Sequence, residues 1–211
     1  MDSKVYFREV ANQWDNLRRG FFPEAVREKA YSVAGIEQGK VAADIGAGTG
    51  FVSEGLIQKG LKVIAVDRSE EMLDQMKEKF KNNNGIDYRQ GEAEDLPIET
   101  NAVDYVMANM YLHHVNNPLI AIKEMARILK PGGRLVLTDL DEHDFQFLKV
   151  EHHDRWMGFK REDVKRWLLE ARLKNIKIEC VGENCCAQSC YNRDMASISI
   201  FIAYGVKIEE G

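Results

Sequence analysis

An acid and three glycines at regular spacing are the residues of this chain with the clearest chemical meaning. They lie in the stretch Val41-Ala-Ala-Asp-Ile-Gly-Ala-Gly-Thr-Gly50, where Asp44 ends a short apolar segment that predicts a strand. The following residues, 51–59, predict a helix. Glycines permit a tight turn and let a ligand approach the backbone, and free N–H groups at a helix start favour anionic groups. The stretch therefore predicts a ligand-binding cradle between a strand and a helix.

Two common nucleotide-binding fingerprints do not fit this glycine pattern. The dinucleotide fingerprint G-x-G-x-x-G needs a glycine at position 51, where this chain has Phe51. A phosphate-binding P-loop needs Lys followed by Ser or Thr after the glycines, and that pair is missing. A nicotinamide-dependent oxidoreductase is therefore the least favoured function. The pattern that remains is D-x-G-x-G-x-G.

A second acid, Asp67, follows the next apolar run, 61–66, and lies 23 residues after Asp44. An acid at this position is placed to bind both ribose hydroxyls of an adenosine ligand, because its two oxygens match two hydroxyl donors. The alternative is a surface acid in a turn. Ser69 is predicted to cap the following helix. Met72 lies on the inner face of that helix and is predicted to be a core residue, with contact to an adenine as the alternative.

Five histidines are candidates for a general base, because imidazole titrates near neutral pH: His113, His114, His143, His152 and His153. A base is needed only in a reaction whose attacking atom is an oxygen or nitrogen that must lose a proton. An attacking thiolate or arsenic(III) atom needs none. Spacing alone does not choose among the five. We favour His152, which lies beside Trp156 in an irregular stretch, with His113 as the second catalytic candidate.

Four cysteines lie close together near the end of the chain: Cys180, Cys185, Cys186 and Cys190. A disulfide framework would spread them along the chain, so we predict a cysteine-rich loop between the last two strands. Thiolates also bind soft metals and metalloids, which leaves a thiol site as an alternative. A divalent-metal site is a further alternative in the irregular insert 139–159, which follows the fifth predicted strand. Its candidate side chains fit no fixed ligand motif, and we predict no metal there: His143, Glu151, His152, His153 and Asp154.

These side chains need a framework of strands and helices to position them. Apolar runs predict strands at 41–43, 61–66, 86–90, 103–108, 134–138, 174–181 and 197–206. Helices are predicted at 3–17, 23–34, 51–59, 118–130 and 161–173, with a break at Gly20 between the first two. In open parallel sheets ligands bind outside the carboxyl ends of the strands, where the strand order reverses. We therefore expect residues 44–50 and 109–114 to be neighbours.

The ordered set of motifs resembles one family. The set comprises D-x-G-x-G-x-G at Asp44, the acid Asp67, the acidic loop Gly91-Glu-Ala-Glu-Asp-Leu-Pro97 and the segment Glu124-Met-Ala-Arg-Ile-Leu-Lys-Pro-Gly-Gly133. It resembles the class I S-adenosylmethionine-dependent methyltransferases, in particular the small-molecule branch typified by ubiquinone and menaquinone biosynthesis. The resemblance covers roughly residues 38–140 and is weak on either side, where the substrate is chosen.

The resemblance implies an α/β fold with a Rossmann-like, doubly wound, seven-stranded sheet that ends in an antiparallel hairpin. It implies one domain, 1–211, made of a helical lid (1–35), a cofactor-binding core (36–140), a substrate cover (141–160) and a terminal helix with the hairpin (161–211). In the lid, Tyr6 or Trp14 would line the site, whereas periodicity alone indicates core packing for both.

The resemblance also implies a cofactor site for S-adenosyl-L-methionine. The methionine part would lie over the glycine loop with Asp44 near its amino group, Asp67 would hold the ribose, and Asn109 would close the methionine side. Glu92 and Ala93 would frame the adenine. The full set implied is Asp44, Gly46, Ala47, Gly48, Asp67, Arg68, Met72, Glu92, Ala93 and Asn109.

The composition limits the classes of partner that we expect this chain to bind. The net charge of −5 argues against a general binder of nucleic acid or anionic membranes, the N-terminus lacks a signal-peptide core, and the apolar run 198–206 is too short to span a bilayer. We therefore expect a cytoplasmic enzyme that methylates a small-molecule acceptor. The alternatives are a regulatory protein that binds a cofactor or a thiol-held metal without turnover, and an arsenite-type methyltransferase using the cysteines of 180–190.

Overall fold

The computed structural model describes residues 3–189, 191 and 194–208. Its strands are β1 Val41–Ile45, β2 Lys62–Asp67, β3 Ile86–Gln90, β4 Val103–Asn109, β5 Leu129–Leu140, β6 Leu173–Gln188 and β7 Met195–Lys207. They form a seven-stranded sheet in the order β3-β2-β1-β4-β5-β7-β6. The first five are parallel, and β7 pairs antiparallel with both β5 and β6. The predicted fold class is confirmed.

Helices cover both faces of the sheet: α1 Ser3–Val10, α2 Trp14–Phe21, α3 Ala25–Ala34, α4 Phe51–Gln58, α5 Glu70–Lys79, α6 Pro118–Ile128, α7 Gln146–Glu151 and α8 Arg161–Glu170. Successive strand residues point to opposite faces. Accordingly, Ala43 belongs to a core cluster with α6 and α8, whereas Ala42 belongs to a second cluster with α3 and α4. In the described part of the chain no helix is both long and apolar enough to cross a bilayer.

Two predicted boundaries differ from the structure. Gly20 does not break a helix, because α2 continues to Phe21 and the N–H of Phe22 still bonds the carbonyl oxygen of Arg18 at 3.2 Å. The fifth strand was expected from 134 but begins at Leu129, which pairs with Val103 of β4. Tertiary contacts outweigh local turn signals in both cases, because packing contributes most of the stability of short elements.

The predicted cysteine-rich loop is wrong for Cys185 and Cys186. Both lie within β6, which extends to Gln188, as does Cys180, which the predicted strand 174–181 already contained. Cys185 pairs with Ile198 of β7, and the pairing tolerates a register shift between Cys180 and Asn184. Strand pairing satisfies the backbone groups of this segment, which a loop would leave to water. The fourth, Cys190, lies outside the described residues.

Candidate functional site

A cavity lies at the carboxyl ends of β1, β2 and β4, beneath α1 and α2. Its walls include residues at the ends of those strands: Gly46 directly after β1, Asp67 as the last residue of β2 and Asn109 as the last residue of β4. The neighbouring strands β1 and β4 mark the reversal of strand order, since β2 and β3 follow on one side and β5 on the other. Open parallel sheets bind ligands at this place. The expected proximity of 44–50 and 109–114 is therefore present.

The glycine loop after β1 has a backbone that other residues would not adopt easily. Gly46, Gly48 and Gly50 all have positive φ, at 72°, 53° and 91°. A Cβ at Gly46 would overlap the ring of Tyr111, and one at Gly50 would lie 2.6 Å from Phe80. The glycines therefore allow both the turn and close packing around it.

Asp44 is buried beneath this loop and faces α4. Its Oδ2 accepts hydrogen bonds from the N–H of Ser53 at 3.0 Å and from the Ser53 hydroxyl at 2.6 Å. Burial raises the pKa of the Asp44 carboxyl to about 7, although the Ser53 hydrogen bonds oppose the shift. The negative charge of Asp67 also contributes to the rise. A cationic group entering the cavity would stabilise the ionised form.

Asp67 is hydrogen-bonded through both carboxylate oxygens. Oδ2 accepts from the N–H of Gly48 at 2.8 Å, and Oδ1 accepts from the N–H of Ser69 at 2.9 Å. Burial raises the pKa of Asp67, and the backbone hydrogen bonds oppose that shift. Because a carboxylate offers about four acceptor positions, each oxygen keeps capacity for one more donor.

Most of the other predicted cofactor residues also line the cavity. They are Ala47, Arg68, Met72 and Asn109. The Asn109 amide oxygen accepts from the hydroxyl of Thr138 at 2.7 Å, which fixes its orientation. Glu92 is exposed and Ala93 is buried in the core, and neither lines the cavity. Glu92 still lies near it: burial is the main cause of the raised pKa of the cavity residue Tyr111, and the charges of Asp67 and Glu92 add to the rise.

The first two helices form the roof, and both predicted aromatics, Tyr6 and Trp14, line the cavity. Nε1 of Trp14 lies 3.5 Å from the place of a Cβ on Gly48. The Thr49 hydroxyl donates to Asp15 of α2 at 2.6 Å, which ties the roof to the glycine loop. The sequence analysis missed the other roof residues on the cavity, Phe7, Arg18, Phe21 and Phe22. Their apolar or cationic character at helical spacing was the available signal.

His152, the favoured base, lies in the cavity wall against the roof. Its Nδ1 is 3.3 Å from the Tyr6 hydroxyl, and its ring packs edge-on against Phe21 at 5.2 Å. Nε2 is buried and has no hydrogen-bond partner in the described structure. Burial lowers the pKa of His152 below its ordinary value, so the ring is neutral near pH 7.

His113, the second catalytic candidate, lies between two buried acids. Its Nδ1 is 2.7 Å from Oδ1 of Asp139, and its Nε2 is 3.8 Å from Oδ1 of Asp154. These carboxylates raise the pKa of His113 to about 9 against the opposing effect of burial. A histidine that is already protonated at pH 7 does not serve as a base. His114, beside it, has a lowered pKa because of burial.

The positions of the cysteines in β6 do not support either thiol alternative, a thiol-held metal or an arsenite-type site. Cys185 is buried and lines the cavity, where burial raises the pKa of its thiol to about 12. Cys186 is exposed. Consecutive strand residues point to opposite faces, so these two thiols do not converge on one ion.

The sheet order and the acid–glycine loop at its switch point together define the class I methyltransferase architecture. Residues 43–137 match the family model described as "Methyltransferase domain". The resemblance inferred from the motifs is confirmed, and the match covers the glycine loop and strands β2 to β4.

Similar proteins are named as methyltransferases. An uncharacterized methyltransferase of Mycobacterium bovis is 35% identical over 137 residues, covering 65% of this chain and 53% of the relative. Demethylmenaquinone methyltransferase of Staphylococcus aureus is 33% identical over 143 residues, covering 64% and 59%. The chain thus spans little more than half the length of these relatives.

Solved structures share the fold. Phosphoethanolamine N-methyltransferase 2 of Haemonchus contortus, in complex with phosphomonomethylethanolamine and S-adenosylhomocysteine, aligns with a TM-score of 0.72 at 18% identity. The alignment covers 87% of this chain and 52% of that one.

Proposed function

We propose that this chain binds S-adenosyl-L-methionine in the cavity and transfers its methyl group to a small-molecule acceptor. The observation that carries the proposal is the hydrogen bond between Gly48 and Asp67, which places an acid with spare acceptor capacity at the rim of the glycine loop. The family match and the relatives support the same class of activity. When bound, the cofactor supplies the methyl group together with its leaving group, for in-line displacement.

The residues at the strand ends divide the binding of the cofactor between them. Asp67 accepts the ribose hydroxyls with the lone pairs that Gly48 and Ser69 leave unused. Asp44 attracts the amino group from below the loop, and Asn109 holds the methionine side from β4. For the adenine, contact with Ala93 and Glu92 remains a proposal that requires the ring to reach beyond the cavity wall.

The acceptor occupies the part of the cavity beneath the roof. Its lining there is mainly aromatic and aliphatic, with Phe7, Phe21, Leu140 and Leu148 among the wall residues. Such a lining favours an acceptor with an apolar ring or chain and excludes water from the transfer. The polar groups at this end are imidazoles and acids, which suit an acceptor bearing a hydroxyl or another ionisable group.

His152 is the proposed base where the acceptor must lose a proton. It is neutral near pH 7, and its Nε2 is buried in the wall without a partner in the part of the chain that is described. Proton abstraction at Nε2 requires the tautomer in which Nδ1–H donates to the Tyr6 oxygen. His113 is not the proposed base, because the carboxylates of Asp139 and Asp154 hold a proton on its ring in the ligand-free protein.

We propose further that residues 1–211 form one domain with the predicted lid, core, cover and hairpin. A cytoplasmic location and the lack of a nucleic-acid or membrane partner belong to the same proposal. The net charge of −5 supports them, as do the free thiols of Cys180, Cys185 and Cys186, which suit a reducing compartment.

Calorimetric titration with S-adenosylmethionine and S-adenosylhomocysteine, beside NAD, tests the proposal. We expect selective binding of the two sulfur compounds, weakened about 10- to 100-fold in Asp67→Asn because hydrogen bonds to a charged acceptor contribute about 1.5–3 kcal/mol. Asp87→Asn, an exposed acid on the neighbouring strand, is the matched control and should bind normally. Failure of the wild type to bind either compound would overturn the function, whereas normal binding by Asp67→Asn would overturn only the ribose assignment.

A further inference from the structure

Three potential metal ligands meet in the wall of the same cavity. One ligand atom each from His113, His114 and Asp154 lies within 4.8 Å of the others, and all three residues are buried. Oδ1 of Asp154 is 3.8 Å from Nε2 of His113 and 3.9 Å from Nδ1 of His114. The insert residues considered from sequence do not form this group, apart from Asp154.

His113 is oriented as a metal-binding histidine usually is. Its Nδ1 is 2.7 Å from Asp139 and donates to that carboxylate, which leaves Nε2 directed at Asp154. Asp139 is itself fixed, because it also accepts from the N–H groups of His113 and Leu140 at 3.3 and 2.7 Å. A carboxylate that holds the far nitrogen of an imidazole is the typical outer support of a ligating histidine.

His114 supplies an independent observation. Its Nδ1 is buried and has no hydrogen-bond partner among the described residues, although the ring forms a backbone hydrogen bond at His153. A buried polar atom without a partner costs about 1–3 kcal/mol, so native proteins rarely retain one without a reason. The unpartnered nitrogen faces Asp154, as Nε2 of His113 does.

The charges at this place also favour a cation. Asp139 is fully buried and Asp154 is 5% exposed, and both lie against the single imidazole of His113. A divalent ion would take the place of the proton on Nε2 of His113, coordinate the vacant Nδ1 of His114 and balance the charge of both acids.

We propose that His113, His114 and Asp154 form a binding site for a divalent transition-metal ion of the zinc type. Two imidazoles and one carboxylate suit Zn²⁺ better than Mg²⁺ or Ca²⁺, which prefer all-oxygen sets. Zinc bonds of about 2.0–2.2 Å require ligand atoms about 3.4 Å apart. The two pairs that include Asp154, at 3.8 and 3.9 Å, need to close by about half an ångström, and the pair of histidine nitrogens, within 4.8 Å, by at most about 1.4 Å. Because all three residues line the cavity, the fourth position of the ion opens to the acceptor end.

The test is the binding of Zn²⁺, and of Co²⁺ as a coloured substitute, to chelator-treated protein without cofactor or acceptor. We expect one ion per chain, a Co²⁺ absorption spectrum of low-symmetry coordination, and affinity at least tenfold lower in His114→Gln and Asp154→Asn. The matched controls are His152→Gln, from the same cavity, and Asp144→Asn, an exposed acid of the same insert. Both should bind the ion as the wild type does.

The outcomes separate the metal site from the proposed function. Absence of stoichiometric binding by the wild type, or equal affinity in all four variants, would overturn the site. Loss of binding in Cys186→Ser, with normal binding in His114→Gln, would assign the ion to an exposed thiol and overturn it too. Binding of S-adenosylhomocysteine, measured separately on each variant, reports on the fold and on the cofactor site, so failure of one proposal does not imply failure of the other.

Discussion

The N–H of Gly48 donates a 2.8 Å hydrogen bond to Oδ2 of Asp67, and this bond joins the loop after β1 to the end of β2. The N–H groups of Gly46 and Ala47 reinforce the same junction by donating to the carbonyl oxygen of Val66 at 2.9 and 3.0 Å. Acid and loop are therefore prepositioned before a ligand enters. Preorganisation of this kind lowers the entropic cost of binding.

Stability should depend on pH through Asp44. The pKa of this carboxyl is about 7 in the folded protein and near 3.8 when exposed, so between these values the folded state holds a proton that the unfolded chain releases. This contribution to the free energy of unfolding is present at low pH and is lost as the pH rises towards 7. In Asp44→Asn the amide oxygen can still accept from Ser53, but nothing titrates. Urea unfolding should show the variant gaining stability relative to the wild type between about pH 4 and about pH 7.

Cofactor binding should follow the same titration. An ionised Asp44 attracts the amino group of the ligand, whereas a protonated one does not. The affinity of the wild type for S-adenosylhomocysteine should therefore rise with pH up to about 7, and the rise should be smaller in Asp44→Asn, where only Asp67 keeps a raised pKa in the site. A parallel pH profile in the two proteins would contradict the placement of the amino group.

Gly46→Ala should damage both the fold and the site. Its φ of 72° is strained for alanine, and the new Cβ would meet the ring of Tyr111. We expect a loss of about 1–3 kcal/mol in the free energy of unfolding and a large loss of cofactor affinity.

Gly20→Ala is the matched control for that substitution. Gly20 lies in α2 with nothing within 4 Å of a Cβ, so the same chemical change should stabilise the protein by about 0.5–1 kcal/mol. Chemical denaturation of the three proteins measures both effects. Equal stability of the two variants would show that the loop geometry is wrong.

His152→Gln should separate catalysis from cofactor binding. Because the neutral ring is the proposed base, removing it should lower kcat about 10²- to 10⁴-fold on an acceptor that must lose a proton, with little change in cofactor affinity. Tyr6→Phe removes only the 3.3 Å contact to Nδ1 and should have a smaller effect. The pH profile of kcat is the decisive readout: if its acidic limb persists in His152→Gln, another group is the base.

Local patterns were sufficient where neighbours in sequence determine the structure. The strand at 86–90 was predicted with the bounds that the structure has, and the Ser69 cap was correct, its hydroxyl accepting from the N–H of Met72 at 3.2 Å. Both rest on short-range periodicity and capping chemistry. The bounds of β5 and β6 were not predictable in this way, because their extra residues are held by pairing with Val103 and with β7.

The sequence by itself determined the class of fold and most of the cofactor-facing residues, because an acid, a glycine turn and a second acid must follow their strands wherever the sheet forms. Only the tertiary structure determined the protonation states of the histidines. Asp139 and Asp154 are 26 and 41 residues beyond His113 in sequence, and they reach it only because β5 and the insert pack against the end of β4. Burial between those two acids gives His113 its charge, and burial beneath the roof keeps His152 neutral. Neither environment is encoded in the spacing of the histidines, since burial and charge depend on long-range contacts.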